Sequence, residues 1–177
     1  DAAGSLRQQV RDRFGVRHAF LISTGRAGMT LLFQAMRRLA PADRDEVILP
    51  SYTCFSVAAS AVKAGLKVRL ADLNPETLDY NLEELERADF TRVLAIVATN
   101  LYGLPNDMPA IAAVARARGV FLIDDAAQSM GASVGGRQCG TSGDAGIFSF
   151  DKGKNVPAID GGIVVTNSRE AAKAQQG

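Results

Sequence analysis

Short, continuous apolar runs alternate regularly in this sequence with longer stretches of helical periodicity, and this alternation limits the folds available to the chain. Five of the apolar runs have the character of buried strands: residues 18–23, 46–50, 67–72, 92–99 and 120–124. Strands that are apolar throughout are covered on both faces, as in parallel sheets. The pattern therefore predicts an α/β fold, a three-layer α/β/α sandwich in which helices cover a mostly parallel sheet.

Stretches with helical periodicity separate these runs, at residues 26–40, 54–65, 81–88 and 108–119. In the first of them, five large apolar residues recur at helical spacing and share one face: Met29, Leu32, Phe33, Met36 and Leu39. Gly65 closes the second stretch, and Asp107 precedes the fourth as a helix start signal. After residue 140 the pattern changes to two short β runs, AGIFSF and GGIVVT, and the segment between them contains Lys152 and Lys154.

Charge and cysteine content exclude several classes of protein. The 177 residues carry 20 basic and 19 acidic side chains, so no global field favours nucleic acid or an anionic membrane as partner. The two cysteines, Cys54 and Cys139, are too few for a disulfide framework and have no metal-clip spacing. No apolar run approaches the roughly 18 residues needed to span a bilayer. We therefore expect one soluble, cytoplasmic domain without a metal site.

Polar residues follow each predicted strand directly. They are Ser23, Thr24, Gly25 and Arg26; Ser51, Tyr52 and Thr53; Asp72; Thr99, Asn100 and Tyr102; Asp124, Asp125 and Gln128; and Ser149 and Lys154. In open α/β sheets, ligands bind where the strands reach their carboxyl ends and the helices begin. The collection therefore predicts an active site at that edge of the sheet.

The segment STGRAG, residues 23–28, joins a predicted strand to a predicted helix. Free backbone N–H groups and the helix dipole attract phosphate at such a junction, and a plain tight turn is the alternative. A dinucleotide site of the Rossmann type is a poor interpretation, because the fingerprint G-x-G-x-x-G is absent and only Gly25 and Gly28 remain.

Two acids and a lysine complete the candidate chemistry. Asp124 and Asp125 end a buried strand, and we expect one of the two carboxylates to face the site. A buried carboxylate requires compensation, either by a cationic ligand group such as a protonated ring nitrogen or by a structural salt bridge. Lys154 is either part of a solvated turn or a desolvated amine that forms a Schiff base with an aldehyde. Pyridoxal phosphate (PLP) requires a phosphate cradle, a lysine and an acid opposite the ring nitrogen, and this chain offers all three.

Five blocks, in order, resemble a known family: VILPSYTCFS, TNLYGLPNDMPAI, LIDDAAQSMGA, GDAGIFSFDKGKN and DGGIVVT. They are similar to the large domain of the DegT/DnrJ/EryC1/StrS nucleotide-sugar aminotransferases, which are PLP-dependent enzymes of fold type I. The resemblance extends from about residue 18 to 170. It implies a homodimer with PLP near the subunit interface. It also implies transfer of an amino group, usually from glutamate, onto a keto sugar carried by a nucleotide.

The resemblance also implies roles for individual residues. The family's Schiff-base lysine corresponds to Lys154, and its phosphate-binding serine corresponds to Ser149. Asp125 matches the aspartate beneath the pyridinium nitrogen, and Gln128 matches the side chain near the ring hydroxyl. Lys154 and Asp125 are therefore the expected catalytic residues.

The phosphate loop and the stacking aromatic are matched less closely. Gly25, Arg26 and Ala27 correspond to a loop that usually reads Gly-Thr-Ala or Gly-Thr-Ser. Arg26 lacks the threonine hydroxyl but brings a cation to the phosphate. Either Tyr52 or Phe55 matches the aromatic residue that stacks on the cofactor ring, and the sequence leaves this choice open.

Members of the family are considerably longer than this chain. We therefore expect residues 1–177 to be the N-terminal part of the PLP-binding large domain, without the C-terminal small domain. A catalytically silent PLP-binding or interaction fragment is the alternative. A sugar dehydratase is disfavoured, because the resemblance implies a histidine in those enzymes where this chain has Lys154.

Overall fold

The computed structural model describes residues 1–175, which form six α-helices and nine β-strands. The helices are α1 (Ala2–Phe14), α2 (Gly25–Leu39), α3 (Phe55–Lys63), α4 (Leu82–Arg87), α5 (Met108–Arg118) and α6 (Arg169–Ala174). The strands are β1 (His18–Ile22), β2 (Glu46–Pro50), β3 (Lys67–Ala71), β4 (Val93–Thr99), β5 (Phe121–Asp125), β6 (Ser133–Val134), β7 (Arg137–Gln138), β8 (Ala145–Ser149) and β9 (Gly162–Thr166). None of these helices within residues 1–175 has the length and apolar character to cross a membrane.

Seven strands of the described chain form one sheet, in the order β1-β9-β8-β5-β4-β2-β3. The strands from β3 to β8 in that order pair in parallel, and β9 is antiparallel to both β8 and β1. A single strand therefore opposes the others in this part of the chain. The predicted mostly parallel sheet is confirmed, and the two apolar runs after residue 140 are the antiparallel neighbours β8 and β9.

Helices cover both faces of the sheet. On one face, α2 and α3 pack through Met29, Phe33 and Ala61 against sheet residues that include Leu49 and Ile147. On the other face, α4 and α5 bury one apolar cluster, and α1 buries a second cluster nearer to β8 and β9. The three-layer α/β/α sandwich expected from the sequence is therefore confirmed.

Side-chain caps determine where two predicted helices begin. Thr24 Oγ1 accepts a hydrogen bond from Ala27 N at 2.9 Å at the start of α2. Asp107 Oδ1 accepts one from Ala110 N at 3.2 Å at the start of α5, which ends at Gly119 with φ 61°. These contacts satisfy backbone groups that a helix terminus leaves without an internal partner.

The sequence pattern predicts neither α1 nor the small hairpin of β6 and β7. Helix α1 buries only Val10 and Phe14, so its apolar face is too sparse to give a clear helical period. The hairpin strands are two residues long each. Leu39 also departs from expectation: it is the last residue of α2 and is 40% exposed, although the pattern places it on the buried face.

Candidate active site

A cavity of about 320 Å³ opens where the parallel strands reach their carboxyl ends. Seven of the residues predicted from the sequence line it: Gly25, Arg26, Phe55, Asp125, Gln128, Ser149 and Lys154. They come from the last residues of β5 and β8 and from the segments that follow β1, β2, β5 and β8, so the fold brings together residues that are far apart along the chain. Ala27 and Tyr52, also predicted, lie outside the lining of this cavity.

The two consecutive acids at the end of β5 have separate environments. Asp124 is fully buried, and its carboxylate accepts hydrogen bonds from Asn100 Nδ2 at 2.7 Å and from Ser142 N at 2.9 Å. Asp125 is 3% exposed and lines the cavity, and its Oδ1 accepts from Ala127 N at 3.0 Å. Successive side chains of a strand point to opposite faces, which is why one acid reaches the cavity and the other supports the loops behind it.

Burial dominates the electrostatics of Asp125. Removal from water raises the pKa of Asp125 from its ordinary value of 3.8 to about 6. The hydrogen bond from Ala127 N and the positive charge of Lys154 both lower this pKa, but burial outweighs them. A carboxylate in this position is short of compensating positive charge. A protonated ring nitrogen over Asp125 would supply that charge, so this residue fits the expected cofactor.

Backbone segments packed against one another form a cradle at the start of α2. Thr24 caps Ala27 N, which leaves the amides of Gly25 and Arg26, the first two of α2, without an intrahelical acceptor. A Cβ added to Gly25 would lie 2.8 Å from both Cβ and Oγ of Ser149. Glycine at position 25 therefore allows the serine hydroxyl to approach the free amides, an arrangement that suits a phosphate group.

Lys154 lies on the segment between β8 and β9. Its backbone N donates to Asp151 O at 2.9 Å, and its half-buried side chain lines the cavity. The pKa of Cys54 is lowered, chiefly by a hydrogen bond from Ser56 Oγ and to a lesser degree by the charge of Lys154. Lys152 is exposed and lies outside the cavity lining. The two lysines of this segment therefore occupy different environments.

Gln128 is oriented by a neighbouring backbone amide. Tyr102 N donates to Gln128 Oε1 at 3.2 Å, and Tyr102 has a left-handed backbone with φ 55°. Because the side-chain oxygen faces that N–H, the NH₂ group of Gln128 is left to donate elsewhere. The hydroxyls of Tyr102 and Tyr52 lie 2.7 Å apart, outside the cavity lining, whereas Phe55 lines the cavity and is 83% exposed. Phe55 is thus the better placed of the two aromatic candidates.

Sequence reasoning misses several residues of this cavity. Ser60 is 3% exposed, and its Oγ donates to Ser56 O at 2.8 Å and to Arg26 O at 3.2 Å, which ties α3 to the start of α2. Asp151 and Asp160 also line the cavity. Ser56 and Ser60 could have been noticed only by their spacing of four positions on an otherwise apolar helix. Nothing in the sequence pattern distinguishes Asp151 and Asp160 from ordinary loop residues.

Replacing Asp125 with Asn is expected to remove a pH dependence from the stability of the cofactor-free protein. The native carboxyl binds its proton more tightly than the unfolded one, so the free energy of unfolding falls as pH rises from about 4 to about 6. At pH 7 the shift corresponds to about 3 kcal/mol. Denaturant midpoints measured across this range should show the variant gaining stability over the wild type as pH rises. Asp12→Asn, at an exposed position of α1, is the control, and equal slopes for wild type and Asp125→Asn would contradict the prediction.

Solved structures share this fold over nearly the whole chain. An aminotransferase from Psychrobacter cryohalolentis matches with a TM-score of 0.90 at 25% identity, over 98% of this chain and 43% of that one. The E. coli GDP-4-keto-6-deoxy-D-mannose-3-dehydratase, solved with bound hydrated PLP, matches with a TM-score of 0.88 at 27% identity, over 97% of this chain and 45% of that one. The chain therefore shares its α/β fold with PLP-dependent aminotransferases.

The sequence places the chain more narrowly within this class. Residues 2–176 match the model of the DegT/DnrJ/EryC1/StrS aminotransferase family, and the chain belongs to that family. A curated relative from Acidithiobacillus ferrooxidans, a UDP-N-acetyl-3-dehydro-α-D-glucosamine 3-aminotransferase, is 35% identical over 174 residues, which cover 98% of this chain and 46% of the relative. The family resemblance is thereby confirmed, and the chain spans less than half the length of that relative.

Proposed function

We propose that residues 1–177 are the N-terminal part of the cofactor-binding large domain of a PLP-dependent aminotransferase. The enzyme transfers an amino group from glutamate onto a keto sugar carried by a nucleotide. The observation that supports this most strongly is the convergence of a lysine, a buried carboxylate short of positive charge and a backbone anion cradle around one cavity. Similarity to a nucleotide-sugar aminotransferase supports the substrate class.

Each part of the cofactor has a matching group in the cavity. Lys154 would hold the aldehyde carbon, Asp125 would pair with the ring nitrogen, and the cradle at Gly25 with Ser149 would bind the phosphate. Phe55, which lines the cavity, would cover the ring. When bound, PLP supplies an electron sink that stabilises negative charge on the carbon bearing the amino group.

Side chains that line the cavity would hold and transfer the protons that this reaction requires. Lys154 Nζ would act as general base when it takes the proton from the substrate carbon that bears the amino group, and the same amine, once protonated, would act as general acid when it delivers that proton to the cofactor carbon. Asp125 would keep a proton on the ring nitrogen, since a buried carboxylate favours a cation beside it. Gln128, whose oxygen accepts from Tyr102 N, would donate from its NH₂ group to the ring hydroxyl.

The segments around the cavity also expose apolar side chains. Ile159 is 90% exposed, Phe55 83% and Tyr102 65%. Exposed apolar surface of this kind marks an interaction site. We propose that a second copy of the chain covers it, as a homodimer, and a monomer mass by sedimentation analysis of the longer protein would contradict this.

Cys54 and Cys139 are both free cysteines, which suits the proposed cytoplasmic location.

The test uses the longer protein of which residues 1–177 are proposed to be a part, because the chain spans less than half of its curated relative. Its ultraviolet-visible spectrum is recorded with PLP, before and after glutamate, and amino transfer to nucleotide-linked keto sugars is then measured. We expect a visible band that glutamate changes and an aminated sugar product. A PLP band that glutamate leaves unchanged, with no product, would instead favour a catalytically silent PLP-binding protein.

Replacing Gly25 with Ala is expected to weaken PLP binding by roughly 10- to 100-fold, the value of one or two hydrogen bonds to a charged group. The added Cβ would lie 2.8 Å from Ser149 Oγ and displace that hydroxyl from the free amides. The dissociation constant for PLP is measured by titration of the cofactor-free protein. Pyridoxal, which lacks the phosphate, serves as the matched ligand: its affinity should stay unchanged, and an equal loss for both ligands would argue against a phosphate cradle here.

A further inference from the structure

A buried side-chain amide lies behind the cavity, and each of its polar atoms has a partner. Asn100 directly follows β4, is fully buried and does not line the cavity. Its Nδ2 donates to Asp124 Oδ1 at 2.7 Å and to Asp125 O at 3.2 Å, and its Oδ1 accepts from Asn106 N at 2.9 Å. Because the nitrogen faces two acceptors and the oxygen faces a donor, these contacts fix the orientation of the amide.

The donor end of this amide holds the stretch of β5 that carries Asp125. Asp125 O accepts from Asn100 N at 3.0 Å as well as from Asn100 Nδ2. The neighbouring carboxylate of Asp124 is held from two sides, by Asn100 Nδ2 and by Ser142 N at 2.9 Å. These contacts restrict the main chain on both sides of the Asp125 Cα atom, from which the carboxylate enters the cavity.

The acceptor end closes the loop that orients Gln128. The bond from Asn106 N to Asn100 Oδ1 joins the two ends of residues 100–106. Inside this loop, Tyr102 has φ 55°, an unfavourable conformation for a residue other than glycine, and its N donates to Gln128 Oε1 at 3.2 Å. A strained residue keeps its conformation only where surrounding contacts hold it, and the bond to Asn100 supplies one of these contacts.

Both ends of the amide belong to one buried network. Asn100, Asp124 and Asn106 are all buried. A buried polar network whose members are all paired makes the structure around it rigid, whereas loss of one member leaves its partners unpaired. Removal of the Asn100 side chain would therefore loosen the attachment of Asp125 and the loop at Tyr102 at the same time.

We propose that Asn100 is a positioning residue for the cofactor site. Through the main chain of Asp125 and the loop at Tyr102, it sets the Asp125 carboxylate at the ring nitrogen and the Gln128 amide at the ring hydroxyl. The inference rests on the proposed function, which assigns Asp125 and Gln128 to these two positions of PLP. It adds that a single side chain outside the cavity lining couples the two positions.

The experiment titrates three ligands into the longer, cofactor-free protein: PLP, a PLP analogue with carbon in place of the ring nitrogen, and a PLP analogue without the ring hydroxyl. For Asn100→Ala we expect the affinity for PLP to fall roughly 10- to 100-fold, the value of one or two hydrogen bonds to a charged group. Each analogue should lose less, because it lacks one of the two contacts that Asn100 positions. Equal losses for all three ligands, as a merely structural role would give, or an unchanged affinity for PLP, would overturn the inference.

The matched control is Tyr80→Phe. Tyr80 is buried and its hydroxyl donates to Val97 O at 2.6 Å, so this variant also removes a buried side-chain hydrogen bond to the main chain of β4. It should lower stability and leave all three affinities unchanged. Asn100→Ser, which keeps a polar group beside Asp124, should show the same order of losses and carries the test if Asn100→Ala does not fold.

Hydrogen exchange of the cofactor-free protein separates this inference from the proposed function. Asn100→Ala should speed the exchange of backbone amides in residues 101–106 and in residues 125–129, and Tyr80→Phe should change neither segment. If the wild type does not bind PLP, the proposed function fails, and exchange still decides whether Asn100 holds both segments. If the wild type binds PLP but either segment of Asn100→Ala exchanges at the wild-type rate, only the inference about Asn100 fails.

Discussion

Replacing Lys154 with Ala in the longer protein is expected to abolish covalent capture of PLP and to slow amino transfer by about a thousandfold or more. The same amine is proposed to hold the cofactor and to carry the proton, so one substitution removes both contributions. Borohydride reduction followed by peptide mass spectrometry measures capture, and steady-state kinetics measures the rate. We expect the modified peptide of the wild type to contain residue 154 and to disappear in the variant.

The matched control is Lys152→Ala, two positions away on the same segment. Lys152 is exposed and lies outside the cavity lining, so its loss should leave both capture and rate close to the wild type. Cofactor that is still fixed to the protein by borohydride in the Lys154→Ala variant would show that another amine holds it. A loss of capture in Lys152→Ala alone would reverse the assignment of the two lysines.

Replacing Gly146 with Ala is expected to give the largest loss of stability, more than about 4 kcal/mol in the free energy of unfolding. A Cβ at this position of β8 would lie 1.8 Å from Gly140 O and 2.6 Å from Gly140 C, well inside contact distance. Gly140 has little room to retreat: its φ is 88°, and its own Cβ direction points at the ring of Phe148, which is fully buried. Neither backbone can move without disrupting the core behind the site.

Denaturant midpoints of the longer protein measure this loss. Gly153→Ala is the control, because an added Cβ there meets no atom within 4 Å and its backbone is not left-handed. Its effect should stay within about 0.5 kcal/mol. A Gly146→Ala variant with a midpoint close to that of Gly153→Ala would contradict the close approach of Gly140 O to Gly146.

Most of the fold could be predicted from local patterns. The five apolar runs correspond to β1 to β5, and the four helical stretches correspond to α2 to α5 with small shifts at their ends. Continuous apolar strands separated by helices have few ways to bury their surface other than a parallel sheet with two covered faces. Helix α1 could not be predicted, because two buried residues do not make a recognisable face.

The candidate site could be predicted in part, because ordered blocks of sequence resemble a family whose fold gathers them. Seven of the nine predicted residues line one cavity, and Ala27 and Tyr52 do not. The choice between Tyr52 and Phe55 needed the structure, since two aromatic residues three positions apart are both possible until the start of α3 orients them. Ser60 was missed because a polar side chain in a helix interior shows no function until its partner, Arg26 O, comes close.

The kinds of chemical group available and the order of strands and helices follow from residue type and short-range spacing, so they could be read before the fold was known. The packing of the chain was needed to show that Lys154 and Asp125 share a cavity while Lys152 and Asp124 do not. Alternation along a strand and the path of a loop set which of two neighbouring side chains is withdrawn from water. That withdrawal, which raises the pKa of Asp125 to about 6, depends on atoms distant in the chain.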